Sequence, residues 1–446
     1  MKTFKLGGIH PNDNKLTAHK PIVTLAAPKE AIFPLEQHIG APAKPIVAVG
    51  DRVKTGQMIA EAAGFVSSPV HSSVTGTVTK IAEYTDTQGF SKQAIYIKAE
   101  EKDEWADGIV ISDKLEKNTS LEPKEIIKKI SDAGIVGLGG ACFPTHVKLT
   151  PPADCKIDSL IINAVECEPY LTHNHRLMLE KAGEVIIGTR LIMKALGIDK
   201  AYIGIESNKM DAVNTLRETA EKLSDFVHII EVVPLKMKYP QGSEKHLIQA
   251  LTGREVKSGA IPASVGVVVQ NVGTAFAVYE AVQFGKPLID LFMTVTGKSM
   301  TEGGNFRVRM GTSMKEVLEM VGGIPADAEK VIGGGPMMGR CISNIDTPIT
   351  KRSSAILCLE KQETVREDVL DCIRCGKCMG TCPMGLEPYL LAKLTEIEDW
   401  SELEEHYVMD CIECGCCTFT CPSHRPLLDY VRYGKFKVGT IIRNRK

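Results

Sequence analysis

"IVGLGGACFPTHVKL" (residues 135–149) places three glycines within four positions and ends near a lysine. Glycine-rich loops of this kind usually hold a phosphate-bearing cofactor, because a backbone without Cβ atoms can approach the ligand closely. The dinucleotide fingerprint G-x-G-x-x-G begins at Gly137 but meets Cys142 where its third glycine belongs. No Gly-Lys-Ser/Thr completes a P-loop either. The stretch therefore predicts a cofactor loop of neither common type.

The segments around this loop alternate between strand-like and helix-like patterns. Apolar runs typical of buried parallel strands and amphipathic stretches typical of helices follow one another: strands at 159–165, 200–206 and 227–235, helices at 175–196 and 209–224. This alternation predicts an α/β domain over residues 119–295, with helices covering a mostly parallel sheet.

The front of the chain, residues 1–118, contains short β-like segments punctuated by turn signals such as Val-Gly-Asp at 49–51. The text resembles the barrel-sandwich fold of biotinyl and lipoyl carrier domains. Those carriers present a modified lysine at a hairpin tip, and the matching region "AAGFVSSPVHSS" (62–73) contains no lysine. We therefore expect a docking or packing module rather than a swinging-arm carrier.

The pattern changes twice more towards the end of the chain. Residues 296–358 give a strand, a turn, one helix and a return to strand, which predicts a small α+β module. Residues 359–430 are helical between cysteine clusters, and a basic tail follows at 431–446. Such a tail is either solvated or in contact with an anionic membrane face or an acidic partner.

Nine of the fourteen cysteines lie between Cys372 and Cys421. They form two runs, "CIRCGKCMGTCP" (372–383) and "CIECGCCTFTCP" (411–422), and both read C-x2-C-x2-C-x3-C-P. This is the bacterial-type run that binds a 4Fe–4S cluster. Structural zinc is the weaker alternative, because zinc sites typically use two separated cysteine pairs.

In two-cluster ferredoxins the fourth cysteine of each run ligates the cluster of the other run. That rule predicts two sets of ligands: Cys372, Cys375, Cys378 and Cys421 for one cluster, and Cys411, Cys414, Cys417 and Cys382 for the second. Cys416 breaks the spacing and is not expected to be a ligand. Buried, small apolar positions are expected for the remaining cysteines: 142, 155, 167, 341 and 358.

Bulk properties exclude several classes of function. A net charge of -2 gives no general attraction to nucleic acid. The sequence contains no run of 18 apolar residues, so no membrane span is predicted, and the N-terminus lacks a signal-peptide core. We therefore expect a chain on the cytoplasmic side. "TGKS" (296–299) is not a P-loop because Phe292 replaces the required glycine, and "IGGGPMMG" (332–339) is interpreted as a turn with methionine packing.

The glycine-rich loop resembles the flavin-binding loop of the flavin subunit of respiratory complex I, a G-x-G-G-x-G-F-P-T-x-x-K pattern. Three further segments are similar to that family's N-A-D-E-S-E-P, G-E-E-T-x-L and N-N-V-E-T stretches: "INAVECEPYLTHNHR" (162–176), "GSEKHLIQALTGREV" (242–256) and "VVQNVGTAFAVYEAV" (268–282). Residues 296–358 resemble its ubiquitin-like domain, which implies that the small module is a β-grasp.

This resemblance implies an FMN site with NAD(H) as its substrate. Gly137, Gly139 and Gly140 would let the backbone approach FMN, and Lys148 would neutralise phosphate charge. Asn163 and the candidate catalytic residues Glu166 and Glu168 would line a pocket for the flavin and the nicotinamide. Asn271 and Thr274 would contact the flavin, and Glu244 would help shape the NADH side. Cys142 and Val165 depart from the family pattern, which has a small residue and an aspartate there.

The order of the parts is similar to that of the C subunits of the ion-translocating Rnf electron transport complex. The fold class expected is a multidomain α/β protein: barrel-sandwich, α/β flavin-binding domain, β-grasp module and helical two-cluster ferredoxin domain. The resemblance implies a ferredoxin–NAD oxidoreductase subunit with FMN and two 4Fe–4S clusters. It also implies partner subunits, one of them an iron–sulfur subunit that accepts electrons from ferredoxin, and a peripheral place on the cytoplasmic membrane face.

Two other functions stay open from the sequence. The first is a non-enzymatic iron–sulfur conduit whose flavin loop is vestigial. The second is a diaphorase subunit of a soluble redox complex, against which the barrel-sandwich at the front argues. The coupling ion, Na+ or H+, has no signature in this chain.

Overall fold

The computed structural model describes residues 1–223 and 229–445. Short strands form the front of the chain: β1 (Ile22–Thr24), β2 (Glu30–Pro34), β3 (Lys44–Pro45), β4 (Arg52–Val53), β5 (Met58–Glu61), β6 (Val70–His71), β7 (Gly76–Thr85) and β8 (Ser91–Ala99). A four-stranded sheet has the order β2-β8-β7-β4, and a three-stranded sheet has the order β3-β5-β6. Phe33, Ile59 and Ile97 are fully buried in this unit.

Residues 1–24 pair with strands outside the two barrel sheets, whereas the sequence analysis grouped them with residues 1–118. Lys2 and Ile9 form β-bridges with Leu235 and Tyr239, and β1 pairs with residues 305–307. The barrel itself therefore begins near β2. Because these pairings join positions more than 200 residues apart, the local pattern of residues 1–24 does not signal them.

The central domain is a parallel sheet with helices, as the alternating pattern predicts. Its strands are β9 (Ser159–Asn163), β10 (Lys200–Glu206), β11 (Ile229–Leu235) and β12 (Val267–Asn271). Its helices are α1 (Pro123–Asp132), α2 (Thr145–Lys148), α3 (His173–Glu180), α4 (Ala182–Leu196), α5 (Met210–Lys222), α6 (Glu244–Thr252) and α7 (Val272–Phe284). Short 3-10 helices cover Ser207–Lys209 and Pro262–Val265.

The single helix expected over 175–196 is two helices, because the backbone leaves helical geometry at Lys181 (φ −131°, ψ 35°). Of the expected strand at 227–235 and helix at 209–224, residues 224, 227 and 228 lie outside the described residues. Leu160, Ile161 and Ile162 of β9 are all fully buried, as a central parallel strand requires.

The strand order of this sheet is β11-β10-β9-β12. The chain runs from β9 outward through β10 to β11, and then returns to the other side of β9 as β12. The order therefore reverses between β9 and β12. Open α/β sheets bind ligands at such a switch point, outside the carboxyl ends of the strands.

The small module is a six-stranded mixed sheet with the order β1-β14-β13-β17-β15-β16. Its own elements are β13 (Asp290–Thr296), β14 (Gly304–Arg309), α8 (Met314–Met320), β15 (Ala328–Gly333), β16 (Arg340–Cys341) and β17 (Ala355–Glu360). Strand β13 pairs with β14 and β17, so the module begins near residue 290 rather than at 296. The expected boundary was late because the apolar run of β13 resembles the strands of the preceding domain.

The last module is helical, as expected: α9 (Lys361–Thr364), α10 (Lys377–Thr381), α11 (Pro388–Glu396), α12 (Trp400–Glu405), the 3-10 helix Val408–Asp410, α13 (Cys416–Phe419) and α14 (Leu427–Asn444). The basic tail is helical up to Asn444 as part of α14. Val431 and Val438 on this helix are buried, so one of its faces packs against the module. Lys446 lies outside the described residues. No helix in the described ranges has both the length and the apolarity needed to cross a membrane.

One buried lysine joins three of these units. The ammonium group of Lys351, next to β17, donates to Ser68 Oγ (3.1 Å) and to the backbone carbonyls of Pro69 and Gly134 (2.7 Å each). Burial lowers the pKa of Lys351 to about 7. The barrel, the α/β domain and the β-grasp therefore meet at a single charged side chain.

Candidate functional site

Two asparagines mark the switch point of the parallel sheet. Asn163 and Asn271 end β9 and β12 and are register partners. The Asn163 side-chain amide donates to the Gly242 carbonyl (2.7 Å), which fixes the turn before α6. Asn271 Oδ1 accepts from the Gly273 N–H (2.8 Å) and caps α7. Both predicted cofactor residues thus lie where ligands bind in this class of fold.

The glycine-rich loop lies against this point. The Leu138 N–H donates to Thr274 Oγ1 (2.9 Å), and a Cβ added at Gly139 would lie 3.6 Å from the Asn271 Cβ. Gly140 has φ +106°, and no atom of the described residues lies within 4 Å of an added Cβ. The loop therefore presents bare backbone and free space beside the switch point, which fits the approach of a cofactor.

Cys142, which departs from the family pattern, anchors this loop. Its thiol donates to the Lys351 carbonyl (3.1 Å), and its own carbonyl accepts from the Ile39 N–H (3.2 Å). The cysteine is fully buried, as predicted, and so is Cys358. Cys155 and Cys167 are half-buried, and Cys341 is exposed on the short edge strand β16, so the prediction of burial is wrong for Cys341.

Two residues predicted for separate roles form a pair. Lys148 Nζ lies 2.6 Å from Glu244 Oε1 and donates to the Val269 carbonyl (3.1 Å). Both side chains are partly exposed, at 28% and 38%. Thr274 is fully buried and holds the Leu138 N–H, so its observed contact is with the loop.

The loop that follows β9 turns Glu166 inward. Its side chain is 1% exposed and accepts from the N–H groups of Asn174 (2.7 Å) and His175 (3.1 Å) at the start of α3. Burial alone would raise the pKa of Glu166, but His173, Lys15 and other cationic neighbours hold it below its usual value. An anion at a helix N-terminus stabilises that helix.

Glu168 also points into the protein. Its carboxylate accepts from the N–H groups of Met337 (3.1 Å) and Met338 (2.9 Å) and lies 3.4 Å from the Tyr239 hydroxyl. Burial raises the pKa of Glu168 to about 7. A Cβ added at Gly335 would lie 2.3 Å from Glu168 Oε2. The segment 332–339 therefore binds this carboxylate through its backbone N–H groups. Its interpretation as a turn with methionine packing did not include this contact.

The structure gives both glutamates a structural contact. Each carboxylate accepts hydrogen bonds from backbone N–H groups, and the expected nicotinamide role stays a prediction. The geometry assigns Glu166 and Glu168 to holding the shape of the loop. The sequence contains no signal for this, since a buried glutamate and a catalytic one look alike in a short motif.

The two cysteine runs share one backbone conformation. Arg374 and Glu413, at equivalent positions, have φ of 55° and 57°, and Gly376 and Gly415 have φ of 72° and 78°. Helices α10 and α13 begin directly after these glycines. Residues in the left-handed region turn successive N–H groups to one side, which suits an anionic cluster.

The thiols of one predicted ligand set lie together. Cys417 interacts electrostatically with Cys411, Cys414 and Cys382, which is the crossed set expected for the second cluster. Burial raises the pKa of Cys411 to about 11, so a bound cation is needed for the thiolate form. Cys416 is buried, and its thiol forms a hydrogen bond with the Cys414 sulfur.

The other predicted set is more open. Cys378 interacts with Cys372, and Cys372 and Cys375 are exposed in the irregular segment 365–376. Across the part of the chain that the structure describes, no three His, Cys, Asp or Glu side chains converge as a single-ion metal site would require. The shared conformation of both runs, and the grouped thiols of the second set, fit the 4Fe–4S clusters that the runs predict.

The second cysteine set faces the α/β domain. The Tyr239 hydroxyl donates to the Cys414 carbonyl (2.9 Å), and His246 Nε2 lies 2.9 Å from the Pro383 carbonyl. The Gly8 N–H donates to the Thr381 carbonyl (2.9 Å). Sequence reasoning missed Tyr239, His246 and the N-terminal segment, because nothing in their spacing connects them with the cysteines.

Four family models match the chain in succession. They are the RnfC barrel sandwich hybrid domain (residues 2–102), the Nuo51 FMN-binding domain (130–280), the SLBB domain (292–340) and the 4Fe-4S dicluster domain (364–427). The matches agree with the order of units expected from the sequence.

Relatives match over almost the whole length. The chain is 47% identical to the C subunit of the proton-translocating ferredoxin:NAD(+) oxidoreductase complex of Clostridium ljungdahlii, over 98% of this chain and 94% of the relative. It is 43% identical to the C subunit of the Na(+)-translocating complex of Acetobacterium woodii, over 98% and 97%. The C subunit of the ion-translocating oxidoreductase complex of Rhodobacter capsulatus is 39% identical, over 88% and 75%.

A solved structure supports the fold. The NAD+-reducing NiFe hydrogenase in its H2-reduced state aligns with a TM-score of 0.52 at 18% identity. The alignment covers 71% of this chain and 63% of the hydrogenase chain. At this identity the likeness concerns the fold alone.

Proposed function

This chain belongs to the family of C subunits of ion-translocating ferredoxin:NAD(+) oxidoreductase complexes, and we propose that it is the subunit at which the complex exchanges electrons with NAD(H). Bound FMN supplies two-electron exchange with the nicotinamide, and two 4Fe–4S clusters supply one-electron carriers. The residues of this chain bind these groups, orient them and exclude water from them.

The observation that carries the proposal is the contact of the glycine-rich loop with Asn271, the register partner of Asn163, at the switch point. Free space beside Gly140 and the partly exposed pair Lys148–Glu244 supply a cradle and a cation for a flavin phosphate. We assign direct FMN contacts to Gly137, Gly139 and Gly140, and to the asparagine pair with Lys148.

The remaining predicted site residues support these contacts. Thr274 holds the loop through Leu138, and the two glutamates hold the segment after β9. Glu244 orients Lys148 and borders the NADH side. The eight cysteines assigned from the two runs hold the clusters, with Cys382 crossing to the second set.

We place the chain at the periphery of the membrane, on its cytoplasmic face, bound to partner subunits. One partner is an iron–sulfur subunit that accepts electrons from ferredoxin. One relative is named for proton translocation and another for Na+ translocation, which supports placing ion selectivity in other subunits.

The decisive experiment is anaerobic reconstitution of the purified chain with FMN, iron and sulfide. We expect bound FMN, about eight irons per chain and bleaching of the flavin absorbance by NADH. A chain that binds iron but never FMN would be the non-enzymatic conduit. Co-sedimentation with membranes only when partner subunits are present separates the proposal from a soluble diaphorase.

A further inference from the structure

Two buried ammonium groups lie behind the loop 165–171, the segment that follows β9. Lys15 Nζ donates to the backbone carbonyls of Glu166 (2.9 Å), Glu168 (2.9 Å) and Leu171 (2.7 Å). Lys209 Nζ donates to the carbonyl of Val165 (2.9 Å). Four carbonyls of a seven-residue loop therefore accept hydrogen bonds from two lysines.

These contacts fix an unusual backbone. Glu166 and Tyr170 have φ of 48° and 70°, which non-glycine residues rarely adopt. The Tyr170 N–H donates to the Asp13 carbonyl (2.8 Å), so the segment around Lys15 also contacts the loop through its backbone. Burial lowers the pKa of Lys15 to about 8, and nearby Lys209 acts in the same direction. The three carbonyls compensate the buried charge.

The direction of the carbonyls sets the direction of the amides. In a trans peptide the C=O and the following N–H point to opposite sides. Because the Val165 and Glu166 carbonyls turn towards the lysines, the N–H groups of Glu166 and Cys167 turn away from them. Lys209 follows β10, which lies on one side of β9, so the opposite side is that of β12, Asn271 and the glycine-rich loop.

These N–H groups are available to a ligand. Within residues 1–223 and 229–445, neither the Glu166 N–H nor the Cys167 N–H donates to a protein acceptor. Glu166 is half-buried as a residue although its side chain is 1% exposed, so the exposed part is its backbone. The loop thus offers donors on one face and hides its acceptors and carboxylates on the other.

We infer that Lys15 and Lys209 are positioning residues of the proposed FMN site, which they serve by turning the Glu166 and Cys167 amides towards the electron-rich edge of the flavin ring. The inference rests on the proposed function. Donors aimed at that edge bind FMN and favour its reduced, more electron-rich form. The lysines act through the loop and do not contact the cofactor themselves.

The test compares Lys15→Met and Lys209→Met with the control Lys20→Met. Lys20 lies in the same N-terminal segment and donates to one carbonyl, that of Gly303 (2.6 Å), outside the loop. FMN affinity is measured by quenching of flavin fluorescence on the flavin-free chain, and the flavin midpoint potential by anaerobic titration. We expect roughly tenfold weaker FMN binding and a more negative potential in both loop variants, with wild-type iron content and a wild-type control.

Wild-type affinity and potential in both loop variants would overturn the inference. If Lys15→Met loses iron or helical circular dichroism, Lys209→Met decides by the same measures. Hydrogen exchange of the peptide covering 164–172 gives a readout that needs no flavin. If the wild-type chain binds no FMN, the proposed function fails, and faster exchange in the loop variants still supports the positioning role, whereas unchanged exchange refutes it.

Discussion

Asn163 and Asn271 are register partners at the carboxyl ends of two adjacent parallel strands, and each side chain fixes a different turn beside the glycine-rich loop. Asn271→Ala should cost about 1 kcal/mol of stability through the lost cap of α7 and should also weaken FMN binding. Ser313→Ala is the matched control, because Ser313 caps α8 through the Glu316 N–H (3.1 Å) far from the switch point. Equal FMN affinity in the two variants would argue against the site.

The glycine-rich loop gives a steric prediction. Gly139 has space for a Cβ in the protein itself, with Asn271 at an ordinary contact distance of 3.6 Å. Gly139→Val should therefore keep the fold and both clusters but lose FMN, because the side chain would occupy the cofactor's place. Gly64→Val is the control, since Gly64 lies in the barrel and an added Cβ there would have no atom within 4 Å in the part of the chain that the structure describes. Flavin absorbance and iron content of both variants provide the measurement.

The pair Lys148–Glu244 predicts a milder loss. A charge-assisted hydrogen bond is worth about 1.5–3 kcal/mol, so Lys148→Ala should weaken FMN binding roughly ten- to a hundredfold, and excess FMN should restore it. Lys92→Ala is a suitable control, because Lys92 forms a similar pair with Glu36 (2.7 Å) on the barrel. FMN affinity unchanged by Lys148→Ala would show that this lysine does not serve the phosphate.

The cysteine assignment predicts iron content. Cys382→Ser and Cys411→Ser should each lose the same cluster, although they lie in different runs, and iron should fall from about eight to about four per chain. Cys378→Ser should lose the other cluster. Cys416→Ser should keep all the iron despite its contact with Cys414. Loss of iron in Cys416→Ser equal to that in Cys411→Ser would make the ligand assignment wrong.

Lys351 predicts a dependence of stability on pH. Burial lowers its pKa to about 7, whereas a lysine in the unfolded chain titrates near about 10.4. Between these values the unfolded chain binds more protons than the folded one. The free energy of unfolding therefore rises with pH, by up to about 1.4 kcal/mol per unit. Below the folded pKa the cost of the buried charge is fully present.

Lys351→Met removes this dependence, so the wild type should gain stability over the variant between about pH 7 and pH 9. Thermal unfolding followed by circular dichroism at several pH values measures it. Lys98→Met, at an exposed barrel position, serves as the control. A wild-type advantage that does not change with pH would contradict the assignment.

The sequence predicted the elements whose causes are local. The apolar run 159–163 predicted a buried strand, and the structure contains it as β9. The repeated cysteine spacing predicted two similar loops, and the two runs share one backbone conformation. The pairing of β1 with β14 and of β13 with β17 could not be predicted, because the partners lie far apart in the sequence. No periodicity within a short segment reports such partners.

The candidate site divides in the same way. The glycine-rich loop and the asparagine pair could be located from motifs, since backbone clearance and strand ends have sequence signatures. The orientation of Glu166 and Glu168 could not, because it depends on Lys15, Lys209 and the amides of Met337 and Met338. These groups are brought to the loop only by the tertiary fold.

The N-terminal segment has a consequence for how the chain is made. The Gly8 N–H donates to the Thr381 carbonyl and β1 pairs with β14, so these residues find partners that are synthesised hundreds of residues later. At about 5–20 residues per second, translation reaches Thr381 roughly 20–75 s after it passes Gly8. Phe4, fully buried in the finished protein, packs against His246 and Lys238 and is therefore covered only once the central domain is made. The loop 165–171 obtains its contacts much sooner, because Lys15 is synthesised before it and Lys209 follows soon after β10.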